Sequence, residues 1–385
     1  MAPPSTKPPF AKVLLRSGPT AYEFVRWLGP ARNGELVLAR RRYGENFGGF
    51  SIIKRPRHPL SEETRRRLLD EARVTSQLHH PNILGAVQFK GTDDMPLLVL
   101  EHVPGYRLAS ILEAAERAQQ PLSEGFACQV AAEVAEALQH AHTLVDEYGR
   151  ELGIVHRDVT PHNILVGEHG EVKLLDFGAA WSRLAGRVSS EGPALQGSLA
   201  YAAPEHTLHL GLDGRADQFS LGIVLLQMLT GRHLFEGADR FDARQRQPHS
   251  RQSVATQLCA QELLERIRDY SVAELEAATR AVPEALRSMV HRALSPDRSS
   301  RFPSCGHFAR ALRQYLKDTQ QHLGPPEVLA ELVTLRYVAL RVEAGETPAD
   351  AVCDRLLSER PTPRSAPRTL LGHRAARLRP PPRRR

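Results

Sequence analysis

Lysine, carboxylate and amide side chains follow a glycine-rich turn in an order that suits the binding and transfer of a phosphate group. The turn lies in LGPARNGELVLA and is followed by Lys54 in SIIK, with Glu71 seventeen residues further on. HRDVTPHNIL then brings Asp158 and Asn163, and VKLLDFGAA brings Asp176. Glycines let backbone N–H groups approach phosphates closely because no side chain intervenes. Phosphoryl transfer is therefore the chemistry to test against the rest of the chain.

Short β-prone runs surround the glycine-rich turn and predict a small β-rich lobe. The runs are YEFVRWLG, GELVLARR and GFSIIKR, separated by turn-rich segments. SEETRRRLLDEARVTSQL follows, and Ser61 as N-cap with acids in the first turn predicts a helix that carries Glu71. PLLVLEHV, Pro96–Val103, has the pattern of a buried strand.

Beyond Gly105 the composition becomes helical. EGFACQVAAEVAEALQHAHTL has apolar residues at helical spacing. FSLGIVLLQMLTG is apolar nearly all round, as expected for a helix at the centre of a domain, and Gly231 can close it. Further amphipathic helices are predicted within 254–280, 283–294 and 306–318. The fold class is therefore α+β, with a small β-rich lobe joined near 101–106 to a larger, mainly helical lobe.

These patterns divide the chain into five parts. Residues 1–20 are rich in proline and small residues and are expected to form a flexible arm. Residues 21–104 form the N-lobe, 105–318 the C-lobe, and 319–360 a helical C-terminal extension. Residues 361–385 have the Arg- and Pro-rich composition of a disordered tail.

The basic charge of the chain is concentrated in this tail. The chain carries 51 Lys and Arg against 44 Asp and Glu, and eight of the arginines lie in 361–385, which contains no acid. The tail could bind an acidic partner or a polyanion, or it could be a solvated end. Because the rest of the chain is almost neutral, nucleic acid is not expected as the main partner.

Cysteine usage and apolar runs indicate a soluble protein in a reducing compartment. The four cysteines, Cys128, Cys259, Cys305 and Cys353, are scattered without a C-x-x-C pair, which suits neither a zinc site nor a disulfide framework. The N-terminus lacks the apolar core of a signal peptide. The longest apolar-rich run, Phe219–Leu229, is shorter than the ~20 residues of a spanning helix. A cytoplasmic location with no membrane span is therefore expected.

The motifs, in this order, resemble the eukaryotic-type serine/threonine protein kinases found in bacteria, over about residues 20–318. The resemblance implies a two-lobed protein-kinase fold, ATP as phosphate donor, Mg²⁺, and protein substrates that include the chain itself. It also implies the roles of the polar residues. Lys54, paired with Glu71, would aim its ammonium at the α- and β-phosphates, and Asp158 would accept or orient the proton of the substrate hydroxyl. Asn163 and Asp176 would hold Mg²⁺.

The resemblance also assigns the nucleotide-binding surface. Gly29 and Gly34 match two of the three glycines of the phosphate loop, with Ala31 at the middle position and Leu36 beside adenine. Leu100 would guard the back of the pocket, and the backbones of Glu101 and Val103 would hydrogen-bond adenine. The expected nucleotide-binding residues are thus Gly29, Ala31, Gly34, Leu36, Lys54, Glu101 and Val103.

Other matching positions are expected to support the fold or its regulation. His156 would pack under the Asp-Phe-Gly segment, Glu205 in GSLAYAAPEH would pair with a buried Arg301, and Asp217 would anchor the catalytic loop. Arg157 precedes the catalytic aspartate, an arrangement in which an arginine can hold a phosphorylated loop. Ser189 and Ser190 lie in that loop, either as phosphorylation sites or as solvated serines.

Three positions depart from the family pattern: Ala31, Thr75 and Thr160. Ala31 should crowd the phosphate loop, and Thr75 replaces an apolar residue that usually connects the lobes. Thr160 stands where the usual lysine neutralises γ-phosphate charge, and slower turnover is expected from it.

Three other functions remain open. A pseudokinase scaffold would normally have lost Lys54, Asp158, Asn163 or Asp176. A small-molecule phosphotransferase of the aminoglycoside type would lack the segment GSLAYAAPE. A nucleic-acid binder would depend on the arginine tail, and deletion of 361–385 would test it.

Overall fold

The computed structural model describes residues 12–31, 34–57, 61–92, 95–183, 198–207, 211–235, 254–321 and 324–343. The expected α+β fold of two lobes is confirmed. The N-lobe is a six-stranded antiparallel sheet in the order β1-β2-β3-β4-β6-β5. Its strands are β1 (Val13–Ser17), β2 (Thr20–Ala31), β3 (Gly34–Tyr43), β4 (Asn46–Arg55), β5 (Ala86–Thr92) and β6 (Met95–Glu101).

The only helix described in the N-lobe is α1 (Glu62–Thr75), which packs on the sheet near the cleft. Ser61 caps it as predicted, because its hydroxyl accepts a hydrogen bond from the N–H of Thr64 at 3.1 Å. Leu68 and Ala72 of α1 share a core with Leu98 and Leu100 of β6. This packing turns the helix so that Glu71 is buried beside the sheet.

The C-lobe begins with a second, three-stranded sheet that the sequence patterns did not predict. Its strands are β7 (Gly105–Arg107), β8 (Ile164–Gly167) and β9 (Val172–Leu174). The described helices are α2 (Leu108–Arg117), α3 (Glu124–His142), α4 (Pro204–Thr207), α5 (Gly214–Thr230), α6 (Val254–Asp269), α7 (Val272–Ala278), α8 (Glu284–Ala293), α9 (Cys305–Asp318) and α10 (Pro325–Glu343).

The core of the C-lobe is built around α3 and α5. Thirteen consecutive residues of α5, from Ala216 to Met228, are buried, as expected for a sequence that is apolar nearly all round. Gly231 ends the helix in the left-handed conformation, with φ of 69°. The helix therefore provides a fixed support at the centre of the lobe.

The structure corrects two of the expected boundaries. The arm expected at 1–20 is wrong for Val13–Ser17, which forms β1 because Leu14 and Leu15 pack against the core that contains Tyr22. The helix expected over 254–280 is two helices, because Ser271 forms a capping box with Glu274 and starts α7.

The C-terminal extension expected at 319–360 contains α10, which lies against the C-lobe. Val328, Leu332 and Leu335 are buried in the main core. Glu331 accepts hydrogen bonds from the N–H and hydroxyl of Ser123 at 2.7 and 2.5 Å. Residues 344–385, with the rest of the extension and the tail, lie outside the described residues.

The first residue of α10 sits on the turn between β8 and β9. Gly170 in that turn has φ of +82°, and a Cβ atom there would collide with the backbone of Pro325. The guanidinium of Arg336 stacks on the Tyr106 ring of β7 at 4.3 Å from its centroid. The helix therefore contacts the same small sheet that borders the cleft.

Candidate active site

A cleft of about 940 Å³ lies between the two sheets, large enough for a nucleotide. Its walls come from β2, β3, β4, α1, the 100–107 segment and the 158–177 segment. Most of the residues expected to do chemistry line it: Ala31, Leu36, Lys54, Glu71, Leu100, Val103, Asp158, Asn163 and Asp176.

Lys54 is held between two carboxylates inside this cleft. Its Nζ lies 2.5 and 2.7 Å from the two oxygens of Glu71 and 3.1 Å from Asp176 Oδ1. Burial opposes the charge of the ammonium, but Asp176 and Glu71 outweigh it and raise the pKa of Lys54. The predicted pairing of Lys54 with Glu71 is therefore present, and the lysine is charged at neutral pH.

The loop before β8 holds Asp158 and Asn163 side by side. Asn163 Nδ2 donates to Asp158 Oδ2 at 2.9 Å and to the Asp158 carbonyl at 2.8 Å. The N–H of Ser198 donates to Asp158 Oδ1 at 2.7 Å. The Asp158 carboxylate is thus fixed in the cleft by one group from its own loop and one group from a distant segment.

Asp217 of α5 anchors this loop from below. The N–H groups of His156 and Arg157 donate to its two oxygens at 2.8 Å each, and His142 Nε2 lies 2.8 Å from Oδ2. Burial would raise the pKa of Asp217, yet the contacts with His142, His156 and Arg157 lower it overall. The buried carboxylate therefore stays ionised and holds the loop, as the resemblance implied. His142 was not singled out from the sequence.

His156 and Phe177 connect the loop to the segment that carries Asp176. Their rings pack edge to face, with centroids 4.6 Å apart, and His156 Nε2 lies 2.9 Å from the Leu175 carbonyl. Asp176 has φ of 59°, a left-handed conformation rare for a residue with a side chain. These contacts place His156 under the Asp-Phe-Gly segment, as predicted, with its ring used for packing.

The glycine-rich turn brings backbone close to the phosphate end of the cleft. Gly29 and Gly34 have φ of +134° and +157°, and a Cβ atom on Gly34 would collide with the Arg55 carbonyl. Ala31 pairs with Gly34 across the turn and lines the cleft. The crowding expected from Ala31 stays a prediction, since residues 32–33 lie outside the described part.

In the segment that links the lobes, some side chains line the cleft and the Glu101 side chain forms hydrogen bonds elsewhere. Leu100, His102 and Val103 line the cleft. Glu101 instead accepts hydrogen bonds from the Gly85 N–H and Lys173 Nζ at 2.9 Å each, and its own N–H donates to Gly85 at 3.0 Å. An adenine contact through the Glu101 backbone would therefore use its carbonyl oxygen.

Two buried hydroxyl groups flank Asp158. Thr160 is fully buried and Ser198 is 8% exposed. Neither hydroxyl oxygen has a hydrogen-bond partner among the residues that the structure describes. In contrast, the hydroxyl of Thr75 donates to the Glu71 carbonyl at 2.7 Å. The Thr75 hydroxyl therefore has a partner within α1, whereas the Thr160 hydroxyl has none in the described residues.

The Glu205–Arg301 pair forms as expected. Two guanidinium nitrogens of Arg301 donate to the two Glu205 oxygens at 2.7 and 2.9 Å, and Arg301 lies over the Phe219 ring. Both residues are buried. Arg157 donates from Nε to the Ala179 carbonyl at 2.7 Å. Ser189 and Ser190 lie outside the described residues.

The residues present fit a Mg²⁺ ion bound together with phosphates. Both N–H groups of the Asn163 amide are used on Asp158, which leaves the amide oxygen to serve as a ligand. Asp176 adds a carboxylate, and a Mg²⁺ site commonly takes its other ligands from phosphate and water. Within the described residues no group of three His, Cys, Asp or Glu could hold a metal alone.

Three arginines at the cleft were not identified from the sequence. Arg26, Arg57 and Arg107 line it, and all three are exposed. They come from three separate segments, so no local motif marks them. Ser198 was also overlooked, although it lies within GSLAYAAPEH, whose position relative to Asp-Phe-Gly was a usable signal.

Comparisons with known proteins agree with this geometry. A model of the protein kinase domain matches residues 22–316. Tyrosine-protein kinase MasK of Myxococcus xanthus is 29% identical over 330 residues, covering 83% of this chain and 47% of MasK. Serine/threonine-protein kinase Pkn1 of Myxococcus xanthus is 32% identical over 306 residues, covering 77% of this chain and 38% of Pkn1. The chain thus spans less than half the length of these relatives.

A solved structure has a similar fold. The PknI kinase domain of Mycobacterium tuberculosis matches with a TM-score of 0.51 at 25% identity, covering 77% of this chain and 96% of that domain. In the described residues, no helix is long and apolar enough to cross a membrane.

Proposed function

Since the chain belongs to the protein kinase family, we propose that it transfers the γ-phosphate of ATP to serine and threonine hydroxyls of proteins, including its own. The arrangement of Lys54 between Glu71 and Asp176, opposite Asp158 and Asn163, carries this proposal. Lys54 contacts Glu71 and Asp176, and Asn163 contacts Asp158, so the side chains assigned to the reaction form two groups that line the same cleft. We also propose that it acts in the cytoplasm, where ATP is available.

Each of these residues has a step in the proposed reaction. Lys54 would orient the α- and β-phosphates, and Asp158 would orient the acceptor hydroxyl and take its proton. The hydroxyl oxygen forms a bond to the γ-phosphorus as the bond to the bridging oxygen breaks, and ADP leaves. Asn163 and Asp176 would hold Mg²⁺, which neutralises phosphate charge.

Phosphate mapping by mass spectrometry tests the proposal. The purified chain is incubated with ATP and Mg²⁺, and modified residues are identified. Phosphate is expected on serine or threonine, with Ser189 and Ser190 as first candidates. Asp158→Asn should lose at least about 100-fold in rate, the scale of general-base catalysis, and its thermal unfolding curve verifies that the variant is folded at the assay temperature.

The outcomes separate the remaining alternatives. Phosphate on tyrosine would contradict the serine/threonine preference and favour the activity in the name of MasK. No phosphotransfer by the wild-type chain to itself or to mixed protein substrates would contradict the proposal and favour a pseudokinase scaffold.

A further inference from the structure

Three arginines form what we call the arginine rim: Arg26, Arg57 and Arg107 at the opening of the cleft. All three are exposed and line the cleft. Arg26 and Arg57 make no ion pair with any carboxylate in the described residues, unlike Arg55, whose Nε lies 2.6 Å from Glu35. Arg26 and Arg57 therefore present positive charge to whatever enters the cleft.

Arg57 and Arg107 come from different lobes and line the same cleft as Asp158. Arg57 follows Arg55 and Pro56, which the glycine turn contacts through Gly34, so it stands at the phosphate end. Arg107 donates a hydrogen bond to the carbonyl of His162, in the loop between Asp158 and Asn163. One arginine thus belongs to each lobe, on either side of the reactive carboxylate.

Most acidic side chains of the cleft lie deeper than the arginine rim. Glu71, Asp158 and Asp176 lie on the inner surface, where Glu71 and Asp176 contact Lys54. Among the described residues that line the cleft, the exposed acid is Glu168, whose N–H donates to the Pro104 carbonyl near the link between the lobes. The described lining of the opening near Asp158 therefore carries arginines and no exposed acid.

The pKa of His102, which also lines the cleft, is affected by the same positive charge. Burial lowers the pKa of His102, and the charge of Arg26 lowers it further, while Glu168 opposes the effect. A basic side chain from a substrate would meet the same repulsion from Arg26.

We propose that this chain selects acceptor segments with acidic side chains close to the serine or threonine, and that Arg57 and Arg107 bind those acids. This preference presupposes the phosphotransfer proposed above and names its substrate class. Opposite charges across a surface raise the association rate and exclude like-charged partners. Basic acceptors, otherwise attracted by Asp158 and Asp176, are repelled by the rim.

Three synthetic peptides test the preference. Each contains one serine, flanked on both sides by three glutamates, three glutamines or three lysines. The full chain phosphorylates them with ATP and Mg²⁺, and kcat/KM is measured at low and at high salt. The glutamate peptide is expected to exceed the lysine peptide by at least about fivefold, with a smaller ratio at high salt, because exposed ion pairs are weak and screened.

Charge-reversal variants assign the preference to the rim. Arg57→Glu and Arg107→Glu should each reduce the glutamate-to-lysine ratio about threefold or more, with a smaller effect on the glutamine peptide. Arg310→Glu, an exposed position on α9 outside the cleft lining, makes the same change in net charge and should leave the ratio unaltered. Unfolding curves verify that the variants fold.

Binding keeps the test independent of turnover. The same peptides, labelled with a fluorophore, are titrated into the chain with Mg²⁺ and a non-hydrolysable ATP analogue, and anisotropy is recorded. The inference is supported if the glutamate peptide binds more tightly than the lysine peptide and this difference is lost in Arg107→Glu. If the peptides bind in this way but none is phosphorylated, only the proposed activity is contradicted. The inference is overturned if the lysine peptide binds as tightly as the glutamate peptide or more tightly. It is also overturned if the glutamate-to-lysine ratio is unchanged in both Arg57→Glu and Arg107→Glu.

Discussion

Thr160 combines complete burial with a hydroxyl that has no hydrogen-bond partner in the described residues. A buried hydroxyl without a partner has lost its hydrogen bonds to water and gains none from the protein. Its side chain is also too short to act as the lysine usual at this position. In the proposed reaction the charge of the phosphates would therefore be neutralised by Lys54 and Mg²⁺ without a lysine at position 160, and slower turnover is expected.

Thr160→Val should keep or raise stability. Valine replaces the desolvated hydroxyl with a methyl group of similar shape, so the free energy of unfolding is expected to rise by up to about 1 kcal/mol. Urea unfolding followed by circular dichroism measures this change, and phosphotransfer should stay within about threefold of wild type.

Ser220→Ala is the matched comparison. Its buried hydroxyl donates to the Tyr201 carbonyl at 2.7 Å, so its removal should cost about 1 kcal/mol. A comparable loss in Thr160→Val would show that the Thr160 hydroxyl has a bonding partner after all.

Residues within short motifs could be predicted from the sequence, and residues brought together only by folding could not. Asp158 and Asn163 share one loop, and Glu71 follows Lys54 at a spacing that one strand and one helix determine. Arg26, Arg57 and Arg107 each look like ordinary exposed positions in their own segments. Their meeting at one cleft depends on the packing of both lobes.

At the scale of elements, α5 supports the catalytic loop through Asp217. The carboxylate is fully buried, and it accepts from two backbone N–H groups of the loop. A residue in the first turn of the helix thereby fixes the conformation of Arg157, whose φ is 63°. The fold of the C-lobe and the geometry around Asp158 are consequently coupled.

Asp217→Asn should weaken this support. An amide can accept from only one of the two N–H groups and turns its own N–H toward the other, so a loss of roughly 2–3 kcal/mol in unfolding free energy is expected. Phosphotransfer should fall as well, because the loop carries Asp158.

The stability difference should depend on pH. Because the pKa of Asp217 is lower in the folded chain than its ordinary value of 3.8, its contribution is complete above that value and disappears as pH falls through the folded pKa. Wild type and Asp217→Asn should differ by a constant amount above about pH 5 and converge below about pH 4. Asp318→Asn, an exposed carboxylate, is the control, and a pH-independent difference would contradict the assignment.

Long elements with a clear apolar pattern could be predicted from the sequence, and elements of only three or four residues could not. The apolar residues of α3 recur at helical spacing over a long run, and α5 is marked by a long run that is apolar nearly all round. The strands β7, β8 and β9 have only three or four residues, too few for alternation to be seen. The boundary at Ser271 depends on a side-chain cap, which interrupts an otherwise continuous helical pattern.

At the scale of the whole molecule, the folded body extends past the family match. The match ends at residue 316, whereas α10 continues from Pro325 to Glu343 and buries Val328, Leu332 and Leu335 in the main core. Each buried aliphatic side chain contributes about 1.5–3 kcal/mol. The helix is therefore part of the kinase body in this chain.

Leu332→Ala should destabilise the whole chain by about 2–5 kcal/mol, as expected for a buried leucine. Val333 is the neighbouring position and is 44% exposed, so Val333→Ala should change stability by less than about 0.5 kcal/mol. Denaturant unfolding with a single cooperative transition measures both. Equal effects, or a separate early transition in Leu332→Ala, would contradict the joint folding of α10 and the C-lobe.

The contact between Gly170 and Pro325 limits which residues homologues with this helix can carry in the turn. The positive φ at Gly170 alone would admit asparagine in a relative, but any Cβ there meets the backbone at the start of α10. A helix docked at this place therefore requires glycine in the turn. Among homologues, the turn glycine and the docked helix should therefore be inherited together, and asparagine should appear only in lineages without the helix.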